Sequence, residues 1–465
     1  MGEILFHGAA GEVTGSMHMI RVNGRWVALD CGMFQGKRAE AEQKNTEWPV
    51  PPKQIAAVVL SHAHIDHSGR LPLLVKQGFD GPIFATPATR DLCAVMLPDS
   101  AHVQEEDVYY VSKRRKRHGL PPIEPLYDYD DALAAVKLIQ STSYGRFFPV
   151  VPGLMAAFQD GGHMLGSAGI TLAFGKRNGR TPSLFYSGDL GRPDQPILRD
   201  PDFLPDVETV LCESTYGGRL NEAVDDAKAM LLEVVTRTIA RGGKVIIPSF
   251  AVGRTQTLVY YLHELMVTGS LPRIPVYVDS PLAVNATEVF KLHPECYDAE
   301  ARAFHQVTGD ILGSGCCTYI RNVEESKSLH ESGEPSIIIS ASGMCEAGRI
   351  RHHIKNNITN PRSTILIVGY QAANTLGRKI AEGAKVITLF HENYTVRAEV
   401  AEIHGFSGHA DQKDLLTWLG PRAAEAMRLV LIHGEPEQAT ALSDKARELG
   451  FREIVIGERG QRLEL

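Results

Sequence analysis

The run His62-Ala63-His64-Ile65-Asp66-His67 constrains this chain more than any other feature, because it places three imidazoles and a carboxylate in six consecutive residues. It follows directly on IAAVVL (55–60), a continuously apolar stretch that reads as a buried strand, and it precedes Ser68-Gly69. A rigid sheet ending in a polar loop is where layered α/β folds place their chemistry. Zinc takes imidazole and carboxylate ligands, and a catalytic site leaves one position open for water. In a near-extended segment His62 and His64 point the same way, toward one ion, and a sharp turn after Ile65 sends Asp66 and His67 toward a second.

Two ions need further ligands, one of them ideally a carboxylate spanning both, since such ions lie ~3.5–4 Å apart. Three strand-end loops offer them. His163 sits in the glycine-rich QDGGHMLGSAG, Asp189 in FYSGDLG is the natural bridge, and His433 follows the apolar LVLI. Around these loops the first third of the chain alternates short strand patterns (ILF, MHMIRV, RWVAL) with glycine turns. Residues 91–148 carry dense charge, including KRRKRH at 113–118, and read as a largely helical excursion. From Asn221 a helix–strand rhythm sets in, with KVIIPSF, IPVYVDS, SIIISAS, TILIVGY and AKVITLF as strands. Several of these are continuously apolar, which suits a parallel sheet covered on both faces, a doubly wound α/β unit. The tail then returns to short strands and a helix. Domain breaks are expected near 210 and 395, giving segments 1–210, 211–395 and 396–465.

The seven cysteines are scattered and none forms a C-x-x-C pair, which argues against a disulfide framework or a zinc ribbon. A net charge of −7 counts against a protein that coats nucleic acid non-specifically, while leaving room for a nuclease with a local positive groove. No stretch approaches the ~20 apolar residues of a membrane span, and the first residues lack a signal-peptide layout, so a cytoplasmic location without membrane association is expected.

The order Asp30, HxHxDH, His163, Asp189 resembles the metallo-β-lactamase superfamily, an αββα sandwich with a dinuclear site along one edge. The long separation of Asp189 from His433 fits an inserted domain. With Glu213 in LCESTYG, His409 in FSGHADQ and His433 in LIHGE, that insertion resembles the β-CASP nucleases, whose three motifs these residues match. Histidine at the third motif is similar to the RNA-processing branch. The phrases DSPLA (279–283), SASGMCEAGR (340–349) and GYQAANTLGR (369–378) resemble the branch containing the nuclease subunit of the cleavage and polyadenylation specificity factor. Gly408 stands where alanine is common, a departure of one methyl group.

The resemblance implies an αββα metallo-β-lactamase sandwich, built from 1–210 and 396–465, with a doubly wound β-CASP domain at 211–395. It implies two Zn2+ per chain, with Mn2+ as the alternative. His62, His64 and His163 would hold one ion, Asp66, His67 and His433 the other, and Asp189 would bridge. The implied activity is endonucleolytic or 5′-exonucleolytic hydrolysis of RNA phosphodiester bonds by a two-metal hydroxide mechanism. Asp66 would serve catalysis as well as the metal, His409 would protonate the leaving 3′ oxygen, and Glu213 would hold the His409 ring. Asp30, ending a strand at LDCG, is expected to hydrogen-bond a ligand imidazole. Substrate contacts are expected from Ser342, Gly343, Arg254 and Arg378 in glycine-rich turns, with the basic run at 113–117 as a solvated helix face or an RNA grip. Single-stranded RNA is the implied partner, within a homodimer or an RNA-processing complex. Two other readings compete: a small-molecule hydrolase of the same superfamily, disfavoured by the size of the insertion, and a non-catalytic scaffold, disfavoured by the complete ligand set.

Overall fold

The computed structural model describes residues 2–176, 181–313, 315–369, 371–372 and 374–465. Its chain packs as two compact units, one of Met1–Pro193, Asp200–Leu220 and His409–Leu465, the other of Asp194–Arg199 and Asn221–Gly408. The breaks fall after Leu220 and after Gly408, later than the expected 210 and 395. The reason is strand pairing, as two of the strands below show.

The first unit is a sandwich of two seven-stranded sheets. One contains β1 (Glu3–Gly8), β2 (Met17–Val22), β3 (Arg25–Leu29), β4 (Ile55–Val59), β5 (Ile83–Ala85) and β6 (Ile139–Ser141), with β22 (Arg462–Glu464) beside β1. The other contains β7 (Phe148–Val151), β8 (Leu154–Asp160), β9 (Ala168–Phe174), β10 (Ser183–Tyr186), β11 (Thr209–Glu213), β20 (Arg428–Ile432) and β21 (Glu453–Ile456). Because β11 pairs with both β10 and β20, the chain stays in this unit past 210.

Period-two alternation builds the layers. Leu184 and Tyr186 of β10, Leu211 of β11, and Val430 and Ile432 of β20 face the first sheet, where they meet Phe6, Ile20, Val27 and Leu29. The intervening Phe185, Val210, Cys212, Leu429 and Leu431 face outward onto helices Gln412–Leu419 and Pro436–Glu448. A strand with apolar residues on both faces must be covered on both, and this one is.

The second unit holds a six-stranded, all-parallel sheet in the order β14-β13-β15-β12-β16-β19. Its members are β12 (Val245–Pro248), β13 (Val276–Asp279), β14 (Cys317–Ile320), β15 (Ile337–Ser340), β16 (Thr364–Val368) and β19 (Glu399–Ile403). Because β19 pairs with β16, the chain remains in this unit past 395. The stretch AKVITLF departs from expectation. It forms β17 (Val386–Leu389), which pairs antiparallel with β18 (Glu392–Thr395) in a separate hairpin. Val386 and Thr388 are exposed and Ile387 and Leu389 buried, so this strand has one wet face, unlike the strands of the parallel sheet. Among the described residues, no helix is long and apolar enough to cross a membrane.

Candidate metal centre

Strand β4 delivers the histidine run, and Asp30 at the end of β3 fixes its exit. The Asp30 carboxylate accepts hydrogen bonds from Ser61 N, Ser61 Oγ and His67 Nδ1, each at 2.7 Å, and from the Tyr186 hydroxyl at 2.6 Å. Residues Ile65–Ser68 then form a single helical turn, which reverses the chain between His64 and His67. The Cys31–Met33 segment clamps this turn through Cys31 N to His67 O (2.8 Å) and Met33 N to Ile65 O (2.9 Å). A Cβ on Gly32 would lie 1.5 Å from the Asp66 carbonyl oxygen, so only glycine permits the clamp.

Backbone folding thus sets the rings' positions, and hydroxyl groups set their tautomers. Ser61 Oγ donates to Asp30 and lies 3.0 Å from His62 Nδ1, so it accepts the Nδ1 proton of His62. Thr215 Oγ1 donates to the His433 carbonyl oxygen and lies 3.0 Å from His433 Nδ1, so it accepts there likewise. His67 gives its Nδ1 proton to Asp30. All three rings are left with Nε2 lone pairs free for a cation, the arrangement that partners of metal-binding histidines impose.

The lone pairs converge. His62 Nε2 and His163 Nε2 each lie 3.2 Å from His64 Nδ1, and His67 Nε2 lies 3.0 Å from His433 Nε2. Two groups of ligand atoms result, His62–His64–His163–Asp189 and Asp66–His67–His433, each within 4.8 Å of one another. Asp189 reaches both. Its Oδ2 is 3.6 Å from Nε2 of His62 and of His163, and its Oδ1 is 3.2 Å from His67 Nε2. That Oδ1 is buried and makes no hydrogen bond. A buried carboxylate oxygen without a donor, facing imidazoles that turn lone pairs toward it, calls for cations. The donor set, nitrogen and carboxylate oxygen without thiolate, fits zinc.

Electrostatics separate the rings. Burial and the neighbouring His67 ring push His62 well below the usual histidine range, and burial lowers His64, which favours the neutral form of both rings. Burial alone would raise the Asp189 carboxyl, yet attraction to the His433 and His67 rings, when they carry a proton, holds it well below the usual carboxylate range. Asp189 and Asp30 in turn lift His67 well above the usual histidine range despite burial, a proton that a cation bound at Nε2 would displace.

His409 stands apart as a titrating group. Its Nδ1 lies 3.2 Å from Glu213 Oε2 and 3.9 Å from Asp189 Oδ2, and its ring lies 4.5 Å from that of His163. Burial favours the neutral ring, but the Glu213 carboxylate overrides it and lifts His409 to about 10. Glu213 is itself fully buried and anchored, because its Oε1 accepts from Leu190 N at 2.6 Å. The His409 side chain keeps 22% exposure, against 4% or less for His62, His67, His163 and His433, so a ligand can reach it.

The second unit gathers the other sequence candidates at the C-terminal ends of its parallel strands. Ser342 and Gly343 follow β15, and Gln371 Nε2 donates to Gly343 O at 3.1 Å. Arg254 opens the helix Arg254–Val267 after β12, and its Nη1 donates to Val368 O at 3.1 Å. Arg378 pairs with Glu382 at 2.7 Å on its own helix. Tyr370 and Ala373 of the 369–378 phrase lie outside the described residues. Sequence reasoning missed Ser61, Tyr186 and Thr215. Ser61 adjoins the histidine run and was open to notice, whereas Tyr186 and Thr215 carry no local signal.

The layered sandwich and its two ligand groups at strand ends define a metal-dependent hydrolase of the metallo-β-lactamase class. Comparison with family models refines this. Residues 10–88 match the metallo-beta-lactamase superfamily, 255–380 the Beta-Casp domain, and 393–456 the Zn-dependent metallo-hydrolase RNA specificity domain. The chain is 36% identical over 455 residues to Ribonuclease TTHA0252 of Thermus thermophilus, covering 98% of each. It is 30% identical over 457 residues to Transcription termination factor FttA of Thermococcus kodakarensis, covering 94% of this chain and 67% of that one. A crystal structure of a protein of unknown function from Enterococcus faecalis V583 aligns over 100% of both chains with a TM-score of 0.55 at 13% identity, a likeness of fold alone. The chain belongs to the β-CASP ribonuclease family of the metallo-β-lactamase superfamily. Its site is that of a zinc-dependent metallo-hydrolase.

Proposed function

We propose that this chain hydrolyses RNA phosphodiester bonds at a two-zinc centre, leaving a 5′-phosphate and a 3′-hydroxyl. His62, His64 and His163 would hold one ion and Asp66, His67 and His433 the other, with Asp189 shared. Zinc bound there supplies Lewis acidity toward a phosphoryl oxygen and water activated near neutral pH.

The chain's own residues do the rest. His409 presents a protonated ring beside the centre, and its Nδ1–H is held by Glu213, which leaves Nε2–H to protonate the departing 3′ oxygen. The buried Glu213 fixes the ring's direction and keeps its proton at neutral pH. Ser61, Asp30 and Thr215 hold the ligand rings in the tautomer that faces the centre. The observation that carries this reading is the His409–Glu213 pair, 3.9 Å from Asp189, because a leaving alkoxide needs a proton source.

The test is cleavage of end-labelled single-stranded RNA by His409→Ala. A loss of ~10²–10⁴-fold with zinc content retained supports the reading. Undiminished cleavage would remove His409 from the chemistry.

A further inference from the structure

The long helix Pro87–Arg117 starts at the metal centre and ends in a basic, aromatic groove. At its first turn Thr86 Oγ1 and Thr89 Oγ1 both donate to Gly166 O, at 2.6 and 2.8 Å, on the loop that carries His163. At its last turns the sequence is KRRKR, fully charged over 113–117 in a chain of net charge −7. Lys113, Arg114, Lys116 and Arg117 are exposed, and none has an ion-pair partner among the described residues. Only Arg115 is engaged, through its Nε to Pro121 O at 2.7 Å.

Four solvated cations within a run of five residues repel one another, so their closeness is a cost unless something anionic lies against them. The helix C-terminus relieves part of that cost for the last turn, but it gives no account of the aromatic surface beside it. The returning segment is tied to the helix by Ile123 N donating to Ser112 Oγ at 3.1 Å. Helix and segment line an open groove of about 750 Å³, with Val108, Leu120 and Pro122 on its walls, Lys113 and Lys116 beside them, and Glu105 on the same surface, its Oε1 occupied by Tyr129 N at 3.2 Å. Tyr109 lines the same groove with 62% of its surface exposed, and Tyr110 next to it has 67% exposed. Unpaired cations beside exposed aromatic faces suit single-stranded nucleic acid, whose phosphates take the cations while its bases stack. An acidic peptide would satisfy the lysines and leave the tyrosines without a matching partner, so RNA is the better fit.

We infer that the distal end of this helix is a docking site for the RNA strand, remote from the scissile bond. The inference rests on the reading of the chain as a ribonuclease. From Thr89 to Lys113 the helix runs roughly 36 Å at 1.5 Å per residue, so only an RNA long enough to span that distance engages both ends.

The experiment measures binding of single-stranded polyuridylate to the zinc-loaded full chain by fluorescence anisotropy across a salt series, before cleavage advances. Lys113→Gln/Lys116→Gln is compared with wild type, as is Tyr109→Ala, with zinc content and circular dichroism as checks on folding. The double variant is expected to flatten the log–log salt dependence by ~1.4, from two lost phosphate contacts at ~0.7 each. Tyr109→Ala is expected to weaken binding about tenfold, the scale of one lost base stack. With the wild type, an RNA too short for the ~36 Å span is expected to show the flatter dependence as well. Unchanged slope and affinity in both variants, while the chain still binds and cuts RNA, overturns the docking site and leaves the nuclease reading standing. Failure of the wild type to bind or cut RNA overturns both. Binding of polyglutamate that disappears in the double variant, with RNA affinity unchanged, assigns the groove to a protein partner and overturns the proposal.

Discussion

Thr215→Val removes one hydroxyl at constant shape and tests how the second zinc group is oriented. In the folded chain Thr215 Oγ1 donates to His433 O at 3.0 Å and receives the Nδ1 proton of His433, also at 3.0 Å. Valine can do neither. The His433 carbonyl keeps a second donor, Ser214 N at 3.2 Å, so the backbone stays largely satisfied and the loss falls on the ring. Freed from its anchor, the imidazole can move its proton to Nε2 or rotate, and either change withdraws the lone pair that faces Asp66 and His67. Loss of such a supporting hydrogen bond typically costs ~10–100-fold in metal affinity, about 1.4–2.7 kcal/mol. Competition with a calibrated zinc chelator should therefore show the second equivalent of zinc weakened by that factor and the first held as in wild type. Thr215→Ser should restore most of the affinity, because the hydroxyl returns. Wild-type affinity for both equivalents in Thr215→Val would refute the tautomer argument.

Glu213→Gln should shift the alkaline limb of the RNA-cleavage pH profile to lower pH. With Glu213 charged, His409 is lifted to about 10 and remains protonated through neutrality, whereas without that charge burial dominates and the proton is lost earlier. Superimposable profiles would contradict the role given to Glu213. Gly32→Ala should destabilise the fold by more than ~3 kcal/mol in denaturant titration, since its Cβ would meet the Asp66 carbonyl oxygen at 1.5 Å. Tyr186→Phe removes one of the four hydrogen bonds to the buried Asp30 and should cost ~1–3 kcal/mol of stability in the same titration, with a modest fall in zinc affinity.

How much of this was legible depends on how far apart the partners lie in sequence. That His62, His64, Asp66 and His67 lie together was readable because their four donor groups arise within one strand end and one helical turn. His163, Asp189 and His433 could be picked out because each lies within three residues of a strand's end and carries a group able to bind a metal. The parallel sheet of the second unit was readable from continuous apolar strands such as Ile337–Ser340, and the same logic misplaced AKVITLF, whose Thr388 marks a wet face. Thr215 was not readable. Its partner lies 218 residues away, and a threonine hydroxyl is common enough to carry no signal by itself. The breaks after Leu220 and Gly408 lie about ten residues beyond the expected positions for a related reason, since only pairing across the sheets tells that β11 and β19 belong where they do. The groove at the end of the long helix depended on a fold-back by residues 118–126 that local charge alone does not announce.

The most direct test couples metal to cleavage in one preparation. Zinc per chain is measured by elemental analysis on the purified protein, on the chelator-treated protein and on the protein restored with zinc, and each sample is assayed on end-labelled single-stranded RNA. Two zinc ions per chain are expected, with cleavage lost as the ions leave and regained as they return, and with 5′-phosphate and 3′-hydroxyl ends on the products. Undiminished cleavage in a sample emptied of metal, or a full complement of two zinc ions with no hydrolysis of RNA, would contradict a zinc-dependent ribonuclease built on Asp189 and its six neighbouring ligands.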